Sequence, residues 1–464
     1  MNQSNHPRPG ILYRGFFINE RLPERSGSEQ RKTMQFTNFN FHPKVAAGVT
    51  AAGYDTPTPI QTRAIPEVMQ GCDVMGLAQT GTGKTAAFAL PILHRLMKGD
   101  RKKVRALVIA PTRELAEQIC ASFNELGAST GLRAITIYGG VGYNPQVNKL
   151  RQGAEIVVAC PGRLLDHIQQ KTINLNFVEA LVLDEADQMF DMGFFPTIRT
   201  ILGKLPKQRQ NLLFSATMPA AIRSLANEVL NDPQTVQVDT VAPAKTVSHA
   251  LYPVAQHLKT DLMLALLKDC DTESVLVFTR TKHRAKRLGE KLSKAGYAAA
   301  SLQGNLSQSR RQEALDGFRG GKYRILVATD IAARGIDISK VSHVVNFDIP
   351  DTPEAYIHRI GRTGRAARSG DAFTMVSSED KAMIRAIEKT LGNKIESRTI
   401  SEFDYTAAAP PRQPQAPRQP RQAQGQGGNR KAANAGTPGK QANRNRRNAP
   451  RRKPQGAASS ARVG

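Results

Sequence analysis

Three observations predict two α/β lobes, each a doubly wound parallel sheet, joined by a single linker. Short apolar strands alternate with amphipathic helices from about Met34 to Val238; residues 231–247 carry two prolines and lose that rhythm; the alternation then restarts. In the first lobe the strand-like runs are 73–77, 106–110, 134–138, 156–159, 180–184 and 211–215. In the second they are 274–279, 324–329, 341–347 and 372–376. The expected organisation is a flexible extension over 1–33, a first lobe over 34–238, a linker over 239–247, a second lobe over 248–395 and a disordered basic tail over 396–464. The core pattern begins directly after Met34, which leaves Met34 as an alternative start.

Composition agrees with that division. At 464 residues the chain exceeds what one hydrophobic core organises. Its formal charge is +26, and half of it sits at the C-terminal end. No acidic residue follows Asp404, while ten Arg and three Lys fall between Arg412 and Arg462. That end contains no Leu, Ile, Met or Phe, so it buries too little apolar surface to offset the entropy of ordering. A polyanion is the expected partner, and RNA or DNA fits better than a membrane because no lipid-anchor motif or amphipathic basic helix accompanies the charge. Cys72, Cys120, Cys160 and Cys270 are too widely spaced for a metal knuckle and read as buried, reduced thiols. No run approaches the roughly 18 apolar residues of a membrane span and no secretory leader pattern opens the chain, so the expectation is a soluble, cytoplasmic protein.

Two elements carry the chemistry. Between the strand at 73–77 and a helical pattern from about Thr85 lies Ala78-Gln79-Thr80-Gly81-Thr82-Gly83-Lys84-Thr85. A glycine-rich turn in that position cradles phosphates with backbone N–H groups at a helix N-terminus. Lys84 is placed to reach the β- and γ-phosphates and the Thr85 hydroxyl to ligate Mg²⁺. Ala78 stands where the first glycine of such a loop is usual. The strand ending at 183 then runs into Asp184-Glu185-Ala186-Asp187. Carboxylates at the C-terminal end of a buried strand lie where open α/β sheets bind ligands. Asp184 is assigned to the Mg²⁺ shell and Glu185 to orienting water. Either element alone also reads as a simple turn or helix cap. In this order, both preceded by strands, they predict a nucleoside triphosphatase.

Further motifs follow in series. They are Gly53-Tyr54-Asp55-Thr56-Pro57-Thr58-Pro59-Ile60-Gln61, Pro111-Thr112-Arg113-Glu114-Leu115-Ala116, Gly139-Gly140, Pro161-Gly162-Arg163 and Ser215-Ala216-Thr217 in the first lobe. The second lobe adds Val277-Phe278-Thr279, Gln303-Gly304, the run from Ala328-Thr329-Asp330 to Gly335-Ile336-Asp337, and His358-Arg359-Ile360-Gly361-Arg362-Thr363-Gly364-Arg365. Over residues 34–395 this series resembles the DEAD-box ATP-dependent RNA helicases, and within them the bacterial RhlE-like subgroup.

The resemblance implies two tandem RecA-like lobes with a cleft between them, and ATP and Mg²⁺ as cofactors. It implies RNA-stimulated ATP hydrolysis coupled to remodelling of short RNA duplexes. It places Phe36, Tyr54 and Gln61 around the base, and a Gln amide has the donor–acceptor pair that matches adenine. It places Asp337 on the ribose, and Arg362 and Arg365 as arginine fingers on the γ-phosphate. RNA contacts fall to Thr112, Arg113, Gly140, Gly162, Arg163, Gly304 and Thr329, largely through the sugar–phosphate backbone and so without sequence preference. Ser215 and Thr217 are implied to couple the nucleotide site to strand separation. Taken singly, most of these positions also read as caps or turns. Cys160 replaces the usual threonine before Pro161-Gly162-Arg163, and a thiol is the poorer hydrogen-bond partner. An alternative of another class is an ATP-timed RNA clamp or assembly factor. Ribosomal-precursor and RNA-decay assemblies are both compatible partners.

Overall fold

The computed structural model describes residues 34–79, 81–238, 247–269, 273–333, 338, 341–364 and 370–408. In the first lobe seven strands are all parallel: β1 (Val74–Leu77), β2 (Ala106–Ile109), β3 (Ala134–Ile137), β4 (Ile156–Ala159), β5 (Ala180–Leu183), β6 (Gln210–Ser215) and β7 (Gln234–Gln237). Their order across the sheet is β3-β4-β2-β5-β6-β1-β7. The second sheet repeats the plan with β8 (Val247–Pro253), β9 (Val275–Phe278), β10 (Ala299–Leu302), β11 (Ile325–Ala328), β12 (His343–Asn346), β13 (Gly370–Val376) and β14 (Glu396–Ser397). Its order is β10-β11-β9-β12-β13-β8-β14, again parallel.

Helices on both faces explain why the central strands read as unbroken apolar runs. Along β2, Ala106 and Val108 join the cluster on one face of the sheet while Leu107 and Ile109 join the cluster on the other. In β9, Leu276 and Phe278 go to one side, Val275 and Val277 to the other. The two-residue period of a strand therefore supplies two cores per lobe.

Register places the chemistry. β1 lies beside β6 with Leu77 opposite Ser215, and β6 lies beside β5 with Leu183 opposite Leu213. The phosphate loop, the acid pair and Ser215-Ala216-Thr217 thus leave three adjacent strands at the same end of the sheet. In the second lobe β11, β9 and β12 are adjacent, so Thr329, Thr279 and Phe347 emerge side by side.

Two boundaries differ from the sequence expectation. The stretch that loses the strand–helix rhythm still holds an edge strand, Gln234–Gln237 on β1, inside the first lobe, and Val247, expected in the linker, opens β8. Only Val236 of β7 is buried, so hydropathy carries no trace of a strand made by backbone pairing. The second lobe extends past 395. Glu396–Ser397 pairs with β8, the Arg398 N–H donates to the Leu251 carbonyl, and Ile400, Phe403, Tyr405 and Ala407 pack on the second-lobe core. These few apolar residues are individually too sparse to signal packing. Residues 1–33, 239–246 and 409–464 lie outside the described residues. Among the described residues no helix is long and apolar enough to cross a membrane.

Candidate functional site

The nucleotide loop is held from two sides. Gly81 and Gly83 adopt φ of +80° and +93°, a left-handed backbone that strains other residues. A Cβ on Gly83 would stand 2.5 Å from Gln61 Nε2. That approach exists because Gln61 closes a capping box on helix Pro59–Gln70. Its Oε1 accepts from the Thr58 N–H at 2.8 Å and its Nε2 donates to the Gly83 carbonyl at 3.1 Å. One amide proton and one lone pair remain, the set that adenine needs. Lys84 is buried and its Nζ donates to the Ala78 carbonyl at 2.8 Å. Thr82 closes the turn onto the Gln79 carbonyl at 2.8 Å, while Thr80 lies outside the described residues. Tyr54, Gln61, Gly83, Lys84, Thr85 and Glu185 line one cavity of about 560 Å³. Phe36 is buried in the first-lobe core with its ring 5.7 Å from that of Tyr54, so it stands behind the aromatic that faces the cavity.

Asp184 and Glu185 are each 2 % exposed. Burial is the main influence on both, pushing both carboxyls above the usual range, while Lys84 draws them down. The Arg362 guanidinium also favours the Glu185 carboxylate, from the other lobe. Glu185 sits at φ +55°, unusual for a residue with a side chain, and its Oε2 is buried with no hydrogen-bond partner. A strained backbone and an unpaired carboxylate oxygen point to a constraint other than folding. Among the described residues no group of three His, Cys, Asp or Glu side chains converges as a metal cage. The hard oxygens of Thr85 and Asp184 beside a phosphate loop do fit Mg²⁺, which keeps most of its water and phosphate ligands.

Asp187 shows a role that the sequence reading left unassigned. Its Oδ2 accepts from the Ala216 N–H at 3.1 Å, the Thr217 N–H at 3.0 Å and the Thr217 hydroxyl at 3.1 Å. The Ser215 hydroxyl accepts from the Asp187 N–H at 3.3 Å and donates to the Thr217 carbonyl at 2.7 Å. The Asp187 carboxylate is therefore tied to Ala216 and Thr217 and its backbone N–H to Ser215, which couples the acid motif to Ser215-Ala216-Thr217.

The second lobe faces this site. A cavity of about 810 Å³ is lined by Lys84, Glu185 and Thr217 from the first lobe and by Arg280, Thr329 and Arg362 from the second. Arg359, which the sequence reading quoted without a role, grips both oxygens of Asp330 at 2.6 and 2.5 Å and donates to Asn346 Oδ1 and the Asp348 carbonyl. This planar fork fixes helix Pro353–Ile360, two residues ahead of Arg362, against β11 and β12. Asp337 and Arg365 lie outside the described residues.

The residues assigned to RNA gather at neighbouring strand ends. Thr112 caps helix Arg113–Leu126 by accepting from the Leu115 N–H at 3.3 Å. Arg113 lies against Gly140, which is in the left-handed region at φ +80°. Gly162 has open space where a Cβ would be, and Arg163 donates to the Val141 carbonyl at 3.2 Å over the face of Tyr143. Gly304 is equally open, and Thr329 directly follows the last residue of β11. Cys160 makes no side-chain cap, and burial raises its thiol to about 12, so it is an inert packing group. Burial does the same to Cys120; Cys270 lies outside the described residues.

A buried pair joins the lobes. Arg311 Nε donates to Glu114 Oε1 at 2.7 Å, and Gln308 donates to the same oxygen at 3.2 Å. Glu114 was quoted with the Thr112-Arg113 motif, but only its long-range partner reveals its use. Removing one member of a buried pair strands the other charge. We expect Arg311→Met to lower the closed population in interlobe FRET with RNA and an ATP analogue, and to lower RNA-stimulated turnover roughly tenfold or more. An unchanged closed population would show that the pair adds nothing to closure.

A phosphate-loop lysine and an acid pair that share a cavity with an arginine of a second parallel-sheet lobe have the layout of the two-lobe helicase ATPases. Similarity to known proteins narrows the class: the DEAD/DEAH box helicase family matches residues 58–225, and the helicase conserved C-terminal domain matches residues 258–367. The chain is 44 % identical over 367 residues to the DEAD-box ATP-dependent RNA helicase CshA of Bacillus subtilis, covering 78 % of this chain and 74 % of that one. It is 45 % identical over 370 residues to the ATP-dependent RNA helicase DeaD of Mycobacterium tuberculosis, covering 79 % and 65 % respectively. The solved structure of S. cerevisiae Dbp5 bound to RNA and ADP BeF3 matches with 32 % identity and a TM-score of 0.70, over 78 % of this chain and 95 % of that chain. The chain belongs to the DEAD-box ATP-dependent RNA helicases, and its enzymatic activity is ATP hydrolysis.

Proposed function

We propose that ATP and single-stranded RNA close the two lobes on each other, that the closed lobes bend the bound strand so that a short duplex cannot persist, and that hydrolysis reopens them. The observation that carries this reading is the single cavity shared by Lys84, Glu185 and Arg362. Gln61 and Tyr54 hold the base, Lys84 the phosphates, and Glu185 orients the attacking water. Arg362 stabilises the charge that develops on the γ-phosphate, and Arg365 and Asp337 complete the second-lobe contacts to phosphate and ribose. Because Arg362 acts only from the apposed lobe, ATP has a differential affinity for the closed state, the condition for a ligand-driven switch. Thr85 and Asp184 are the residues that would hold Mg²⁺, whose chemistry is neutralisation of phosphate charge. Thr112, Arg113, Gly140, Gly162, Arg163, Gly304 and Thr329 hold the RNA backbone, and Asp187 transmits nucleotide state to Ser215 and Thr217. The test is duplex separation: ATP-dependent release of a short RNA strand supports this reading, whereas retention of single strands without separation would favour the ATP-timed clamp.

The reading extends to a cytoplasmic protein acting on ribosomal-precursor or RNA-decay assemblies. The RhlE-like placement rests on the general appearance of the sequence, while the relatives above carry the CshA and DeaD names. The basic C-terminal segment acts as an RNA tether. Ten Arg and three Lys from Arg412 onward are available to phosphates, and engaging about four or five of them at about 0.7 of a unit of log–log salt slope each on a single strand gives about 3. The packed residues through Ala407 belong to the second lobe, so the informative truncation is after Ala408. We expect it to weaken RNA binding and flatten the salt slope by about 3, with RNA-saturated turnover unchanged. Superimposable salt titrations of truncated and full chains would leave the segment without an RNA role.

A further inference from the structure

We propose that the outward face of helix Lys282–Lys294 is a second RNA-contact surface, which holds RNA running on from the backbone contacts of the second lobe. The helix carries six Lys or Arg against one Glu. Lys282, Lys286, Arg287, Lys291 and Lys294 are all exposed, while Ala285, Leu288, Gly289 and Leu292 are buried against the sheet. Lys286 approaches Glu290 at 3.7 Å with both side chains more than half exposed, so solvent screens that pair and the face stays strongly positive. Two other helices of the chain do not share this character. Helix Gln308–Arg319 sets three Arg against one Glu and one Asp, and helix Arg113–Leu126 sets one Arg against three Glu.

Position connects this face to the core site. The helix begins directly after Thr279-Arg280 at the end of β9, and Arg280 lines the interlobe cavity together with Thr329. Thr281 caps its first turn, and Arg284 pairs with the buried Asp348 at the end of β12, which pins the start of the helix at the cavity rim. Further along, a Cβ on Gly289 would stand 3.2 Å from Ser301 Cβ, so the helix is pressed against β10, the strand that leads to Gly304. At about 1.5 Å per residue the helix runs roughly 20 Å. Its charges therefore extend from the rim, beside Gly304 and Thr329, down the side of the lobe.

The chemistry of the face selects the partner. A protein interface needs an apolar centre, yet the exposed large apolar residues described are Tyr54, Phe177, Phe190 and Ile331, none of them on this helix. Phosphates need only charge, presented in a row. RNA is the polyanion already delivered to the adjoining strand ends by the activity of this family.

The experiment uses the full chain with Lys286→Glu, Arg287→Glu and Lys294→Glu combined, since Glu is a good helix former. Two fluorescent RNAs are titrated over a salt series: a short single strand limited to the cleft, and the same strand continued into a hairpin. We expect affinity for the extended RNA to fall at least tenfold at low salt and its log–log salt slope to lose about 2, with the short RNA and RNA-saturated turnover unchanged. Parent-like binding of the extended RNA would overturn the proposal, and so would equal losses on both RNAs, which mark a diffuse charge effect. Photocrosslinking of the unsubstituted chain to the extended RNA gives a readout independent of the variant's folding. Crosslinks within 282–294 support the surface; crosslinks confined to other segments overturn it.

Discussion

Glu185→Gln is expected to leave ATP affinity near that of the parent and to lower RNA-stimulated hydrolysis by at least about 10²-fold, the range of a positioned base. The substitution keeps the volume of a buried side chain whose Oε2 has no partner, so it removes a charge and an acceptor without opening a cavity. It also relieves a carboxylate that burial and the adjacent Asp184 make costly to ionise. A folded protein at least as stable as the parent is therefore expected. Lys84→Ala should behave differently and weaken nucleotide binding itself, since its ammonium is the buried cation beside the loop. Equilibrium binding of a fluorescent ATP analogue, with turnover measured in parallel, separates the two. Near-parent turnover in Glu185→Gln would remove it from the chemistry.

Arg362→Ala is expected to lower RNA-stimulated turnover by about 10³-fold, or about 4 kcal/mol of transition-state stabilisation. Arg362 reaches the cavity of Lys84 and Glu185 from the opposite lobe, so the loss belongs to the closed state. Nucleotide binding under RNA-free conditions, governed by first-lobe residues, should stay within a few-fold of the parent. Interlobe FRET with RNA and a non-hydrolysable analogue should show a reduced closed population. Normal turnover with normal closure would take Arg362 out of the mechanism. Arg359→Ala would be a poor substitute for this test, because Arg359 holds Asp330, Asn346 and the Asp348 carbonyl together and its loss disturbs the lobe.

The sequence by itself determined the fold class, the order of the motifs and the chemistry of the nucleotide loop and acid pair. Those properties are local: buried parallel strands are continuous apolar runs, and a phosphate loop is a short stretch of glycine, lysine and threonine between a strand and a helix. Gln61 stood out through its motif and the donor–acceptor pair of its amide, while its capping box on Thr58 and its bond to Gly83 came from the structure. What tertiary structure alone decided are the relations between distant segments. The resemblance places Phe36 beside Tyr54 around the base, and only packing shows it buried with its ring 5.7 Å from that of Tyr54. Asp187 reads as the tail of a motif, and only the pairing of β5 with β6 brings Thr217 to its carboxylate and Ser215 to its backbone N–H. Glu114 and Arg311 are ordinary helix charges until the lobes meet. The edge strand Gln234–Gln237 and the packed residues 396–408 escaped hydropathy because backbone hydrogen bonds and scattered apolar side chains hold them. A one-dimensional pattern records which face a residue prefers, while the partner it meets there depends on how the sheets order their strands and how the lobes close.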